Sequence, residues 1–170
     1  MIEYKPTTKE IARAKSKGKK MGVLYNSFTK GAGNETGMLG EIVAHNYIPD
    51  AVCVSDKSRT HDFEMYGKTI DVKSKKCKKA PLPEYVASVA FDTGKYLKSD
   101  ILLFTRVAED LKTVWVLGWY PTPLFYKNAQ LIERGTVEGR FVHRITGYHL
   151  PIKKLRPISK LLAYGSTSGS

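Results

Sequence analysis

The chain has 170 residues, 42% of them apolar, which is enough for one globular domain with a sizeable core. A formal net charge of +12 exceeds what solubility needs and points to an acidic polymer, nucleic acid before membrane. Cys53 and Cys77 lie far apart with no CxxC and no nearby Cys/His set, so neither a zinc site nor a disulfide framework is indicated, and reduced thiols in a cytoplasmic protein are expected. With no apolar run of about 18 residues and no apolar stretch after the N-terminus, neither a membrane span nor a signal peptide is expected.

In chain order, residues 1–22 read as a basic N-terminal arm. Thr7 or Thr8 caps a short helix over Lys9–Lys20 whose few apolar residues give it little to pack, leaving a solvated arm or one that follows phosphates. A single domain over residues 23–164 then opens with an edge strand at Gly22–Phe28. The Gly-rich loop Lys30–Gly37 lacks both the P-loop ending and the third glycine of the dinucleotide fingerprint, so nucleotide binding is rejected and a flexible rim is expected. Asn34 or Thr36 is the expected N-cap of a helix running to about Ile48, with Leu39, Ile42, Val43 and Asn46 on one face and Glu41 and His45 together on another. Pro49-Asp50 ends it, and Ala51–Ser55 reads as a short buried strand.

The stretch His61–Lys75 carries the strongest signal. Phe63 and Met65, then Ile70 and Val72, mark the apolar face of two alternating runs around Tyr66-Gly67, which is a β-hairpin. A loop centred on Tyr66-Gly67 places Asp62 across from Asp71, with Cβ atoms about 5 Å apart. At that spacing and an effective dielectric near 20, the two carboxylates repel by about 3 kcal/mol unless a cation lies between them. Lys73 shares the face of Asp71, and a hard divalent ion would complete the neutralisation.

Asp62 followed by Asp71-Val72-Lys73 resembles the PD-(D/E)XK nuclease superfamily pattern, with His61 standing where the pattern's name has proline. Gly37–Glu41 and Ile42-Val43-Ala44 resemble that superfamily's first helix, which commonly adds a glutamate; Glu41 is the candidate, with Glu35 its competitor. The resemblance covers roughly residues 34 to 120. It implies an α/β fold, a mixed central β-sheet flanked by helices with a restriction-endonuclease-like core, and a Mg²⁺-dependent phosphodiesterase site in which Mn²⁺ can substitute. Asp62, Asp71, the Val72 carbonyl and Glu41, directly or through water, would hold the ion, and Lys73 would position the attacking water or stabilise developing charge. Beside two carboxylates, a charged role suits Lys73 better than that of general base.

After the hairpin come Lys75, Lys76, Lys78 and Lys79, placed to meet the backbone of a bound strand. Tyr85–Phe91 is rich in β-formers, with its helix or strand identity open. Ile101–Thr105 and Thr113–Trp119 are near-continuous apolar runs, expected as central strands covered on both faces. Pro123–Arg134 fits a helix stopped by Gly135. Arg140 and Arg144 interleave with aromatics on one or two late strands and suit nucleic acid, whereas His143 and His149 read as structural. Ile158–Tyr164 reads as a terminal helix and residues 165–170 as a disordered tail.

Two functions fit. One is a metal-dependent DNase, structure-selective or of a repair or recombination type, for which a homodimer stays open as the assembly a junction resolvase would need. The alternative is a non-catalytic basic nucleic-acid-binding module in which the charge alone acts. The opposed carboxylates favour the enzyme, since a pure binder of polyanions gains nothing from them.

Overall fold

A computed structural model describes residues 1–21, 33–91 and 94–166. The expected edge strand at Gly22–Phe28 and the loop up to residue 32 lie outside the described residues, as does the tail beyond residue 166. The fold is mixed α/β, with four described helices packed on a mixed sheet.

The chain begins with β1 (Ile2–Tyr4) and α1 (Thr8–Met21). It continues through α2 (Asn34–His45), β2 (Val52–Cys53), β3 (Phe63–Met65), β4 (Lys68–Cys77) and β5 (Val86–Ala90). Next come β6 (Ile101–Ala108), β7 (Val114–Pro121), α3 (Thr122–Asn128) and β8 (Gln130–Ile132). The last elements are β9 (Val137–Glu138), β10 (Phe141–Val142), β11 (Gly147–Pro151) and α4 (Ser159–Ser166). The main sheet runs β1-β7-β6-β4-β3-β2. Its single parallel pair is β4 with β6, and a smaller antiparallel sheet, β5-β11-β8, lies on one of its faces.

The near-continuous apolar runs became β6 and β7, as expected, because both faces are covered. Ile101, Leu103 and Val107 of β6 join α1, α2 and α4 in one core cluster, while Leu102 and Phe104 join α3 and the small sheet in another. A bulge resets this alternation in β7, so that Val114, Val116 and Trp119 share the helix side while Trp115 and Leu117 take the other. Gly118 makes the bulge feasible: its φ of 139° suits glycine, and a side chain there would strike the Arg156 carbonyl.

Several expectations are corrected. Residues 1–22 are not an arm: β1 pairs with β7, and Ala14 of α1 is fully buried in the main core. Ile2, Tyr4 and Ile11 add enough apolar surface to hold the segment down. Neither Asn34 nor Thr36 caps α2, which starts after Gly33 with no side-chain cap; Asn34 instead donates to the Gly18 carbonyl of α1 (3.3 Å). The strand expected at Ala51–Ser55 shrinks to two exposed residues at the sheet edge. The helix expected over Pro123–Arg134 ends at Asn128, since Ala129 is extended and β8 pairs with β11. Tyr85–Phe91 resolves as a strand.

Close packing at Gly40 places α2 on the sheet, because a side-chain carbon there would overlap the Ser74 hydroxyl of β4 and crowd Thr105 of β6. Gly40→Ala should therefore cost about 1–3 kcal/mol of stability through overpacking. Gly37→Ala, one turn earlier with nothing within 4 Å, should instead stabilise by about 0.5–1 kcal/mol. Chemical denaturation of both variants checks the contrast, and equal effects would mean that α2 does not sit this close to β4.

Candidate active site

The hairpin forms in the expected register, with Met65 opposite Lys68 and Phe63 opposite Ile70. Tyr66 (φ 49°) and Gly67 (φ 72°) both take the positive φ that a two-residue hairpin turn requires, and the Tyr66 hydroxyl donates to Asp50 (2.6 Å). The ladder stops at Phe63–Ile70, one pair short of the expected Asp62–Asp71 pairing. Asp62 instead donates its backbone N–H to the Ile70 carbonyl (2.9 Å) and accepts at its own carbonyl from Val54 (2.8 Å). Its carboxylate turns inward and accepts the Val72 N–H at 2.7 Å. From Asp71 onward, β4 keeps β6 on one side and has no strand partner among the described residues on the other.

Acids reach this edge from three sides: Glu41 from the α2 layer, Asp62 in the plane of the sheet and Asp71 from the face shared with Leu102. Asp71 is only 6% exposed and accepts from the Lys73 ammonium at 2.8 Å. In a strand the N–H and C=O of one residue leave by the same edge, so the Val72 carbonyl points out beside the Asp62 carboxylate. Burial, then the charge of Asp71, pushes Asp62 up to about 6, against the lowering effect of the Val72 N–H. Burial and the negative charge of Asp62 push Glu41 up to about 8. The four residues expected to form the site are thus neighbours in space. Among the described residues, however, no three His, Cys, Asp or Glu side chains converge into a ready-made ion cage.

Sequence reasoning missed Lys17. It is half-buried on α1, its charge partly offsets the acids around Glu41, and it stands 3.8 Å from Asp56. Five other cations in residues 8–21 hid it, and only the inward turn of α1 marks it out. The histidines near the hairpin have partners of their own. His45 bonds the Ala51 carbonyl (2.9 Å) and stacks on Phe63, while His61 bonds Glu64 (3.1 Å), which stays exposed.

The basic residues divide. Lys75, itself exposed, shares a register position with the buried Arg106, and desolvation of its ammonium together with that neighbouring charge draws it down. Lys76, Lys78 and Lys79 are exposed. Arg140 and Arg144 are exposed too, but belong to the separate β9–β10 ribbon and the turn after it. No described helix is long and apolar enough to cross a membrane. Compared with known family models and with characterised proteins, the chain matches none.

The elevated carboxyl pKa values fix a pH trend. Without bound ion, native Glu41 and Asp62 hold protons that the unfolded chain gives up near the ordinary values of 4.5 and 3.8. Their contribution to stability therefore falls as pH rises from about 4 through about 8. Melting temperatures in chelator across that range should decline more steeply for wild type than for Glu41→Gln, whose neutral amide removes the first of these groups. Parallel curves would place Glu41 outside the cluster.

Proposed function

We propose that this protein is a Mg²⁺-dependent deoxyribonuclease with a restriction-endonuclease-like, PD-(D/E)XK-type core. The observation that carries this reading is the meeting of Asp62, Asp71 and Glu41, with Lys73 bonded to Asp71, at the stretch of β4 whose outer edge pairs with no described strand. Buried carboxylates crowded in this way need a cation, and an all-oxygen donor set suits a hard divalent ion. Asp62, Asp71, the Val72 carbonyl and Glu41, directly or through water, would hold Mg²⁺ or Mn²⁺. When bound, the ion would supply Lewis acidity at the phosphate and a more acidic water.

The chain's own residues supply the rest. Lys73, held by Asp71 and about one-third exposed, presents its ammonium where negative charge grows on the phosphate oxygens. Asp62 is fixed by the Val72 N–H, so its carboxylate meets the substrate without first having to order itself. The surface lysines and the charge of +12 would draw DNA to the open edge. The same exposed lysines support the second reading, a binding module without chemistry.

Cleavage separates the two. Asp71→Asn and Lys73→Ala should each lower Mg²⁺-dependent cleavage by about 10²-fold or more, with DNA binding in Ca²⁺ nearly intact. An absence of Mg²⁺-dependent cleavage by wild type would leave the binding module, and wild-type rates in both variants would remove the chemistry from this edge. Binding itself is tested by replacing Lys75, Lys76, Lys78 and Lys79 with Gln. Each lost phosphate contact should lower the slope of log affinity against log salt by about 0.9 on duplex DNA. An unchanged slope would return the run to a solvated surface.

A further inference from the structure

Four aromatic rings that the sequence scatters over four segments come together beside Asp71 and Lys73. Phe91 follows β5, Tyr96 lies on the loop before β6, Tyr126 is on α3 and Tyr148 on β11. Ring centroids are 4.8 Å apart for Tyr96–Tyr126, 4.9 Å for Tyr126–Tyr148, 4.9 Å for Phe91–Tyr96 and 5.2 Å for Phe91–Tyr148. The cluster belongs to the face of β4 that carries Asp71 and Lys73. Lys73 pairs in register with Phe104, whose ring meets Phe125 (5.4 Å), and Phe125 meets Tyr126 (5.7 Å). Tyr126 is close enough that its hydroxyl feels the charges of both Lys73 and Asp71.

Packing alone does not account for Tyr96. Its ring is 58% exposed, although three other rings hold it in place. Every one of those contacts is tilted or edge-on, at 43° to 82°, so no ring among the described residues lies parallel on its flat surface. The Tyr126 hydroxyl accepts the Leu97 N–H (3.1 Å), which pins the loop just after Tyr96, and the Tyr96 and Tyr148 hydroxyls approach to 3.4 Å. A braced, outward aromatic face, with the exposed cations Lys95 and Lys98 close to Tyr96 in sequence and Lys127 next to Tyr126, suits a flat ring carried on an anionic chain. An apolar protein partner would leave those lysines unmatched.

We propose that Tyr96 is a stacking platform for an unpaired nucleobase, and that the substrate is therefore DNA with a single-stranded segment next to the cleaved bond. Bases inside an intact duplex are already stacked on their neighbours and cannot use this ring without opening. The proposal deepens the nuclease reading and rests on it for the position of the cleaved phosphate, while the stacking itself is read by binding alone.

The test compares wild type, Tyr96→Ala and Tyr96→Phe in Ca²⁺. Anisotropy gives the affinity of each for a single-stranded oligonucleotide and for a blunt duplex, and a 2-aminopurine in the single strand reports stacking through quenching. Tyr96→Ala should lower the ratio of single-strand to duplex affinity by about 5- to 100-fold and abolish quenching, whereas Tyr96→Phe keeps the ratio within about twofold of wild type. Equal ratios in all three proteins, an absence of quenching with wild type, or a loss in Tyr96→Phe as large as in Tyr96→Ala would each overturn the platform. Cleavage by Asp71→Asn is measured alongside. Wild-type activity there would overturn the placing of the cut at Asp71 and leave a positive stacking result standing, whereas lost activity with unchanged ratios would do the reverse.

Discussion

One hydrogen bond decides the shape of the site. By taking the Val72 N–H at 2.7 Å, the Asp62 carboxylate fills the place where the next backbone carbonyl of the hairpin partner would have been. A strand N–H buried without an acceptor costs about 1–3 kcal/mol, so the β3–β4 ladder can end at Phe63–Ile70 only because this side chain replaces it. That early ending leaves the β4 edge with no described strand partner from Asp71 onward. The same bond holds a carboxylate against a second one, and the fold tolerates this because the N–H favours the charged form of Asp62 while burial and Asp71 oppose it.

Keeping such a group in place requires a rigid frame behind it, and the frame comes from β6. Fully buried side chains cover both faces of that strand, and its parallel pairing with β4 extends from Ile70 to Cys77, along the whole stretch that has no described strand partner on the other side. A parallel pair needs a crossover, and here it passes through β5 instead of through a helix alone. The crossover therefore supplies a strand of the small sheet, which together with β11 and α3 brings the aromatic side chains to the face of Asp71 and Lys73.

Legibility in the sequence followed the range of the interactions. The hairpin register could be read because a two-residue turn leaves one pairing, and β6 and β7 because strands covered on both faces cannot alternate. The site residues Asp62, Asp71 and Lys73 were legible for the same reason, since all three lie within ten positions of one another or of the turn. What failed depended on distant partners. Pro123 at a helix start and Gly135 as a stop suit one helix over the whole stretch, yet Gln130–Ile132 pairs with β11, whose sequence lies 15 residues further on and gives no local sign of the competition. The burial of Ala14 and the inward turn of Lys17 depend on α2 and the sheet, so a lysine-rich helix looked like a free arm.

The period of two along β4 sets the order of charge on its open face. Asp71, Lys73 and Lys75 succeed one another on the side facing the small sheet, so within three positions the surface passes from an acid, through a cation bound to that acid, to a cation beside the buried Arg106. A polyanion is repelled at one end of this row and held at the other. On the nuclease reading, the phosphate to be cut must lie where the sign changes, because only there can it contact Lys73 while sharing a cation with Asp71. Moving the acid by one residue would turn it to the α2 face and remove the boundary. The two-residue spacing of Asp71 and Lys73 thus follows from strand geometry, and it holds whatever the edge receives.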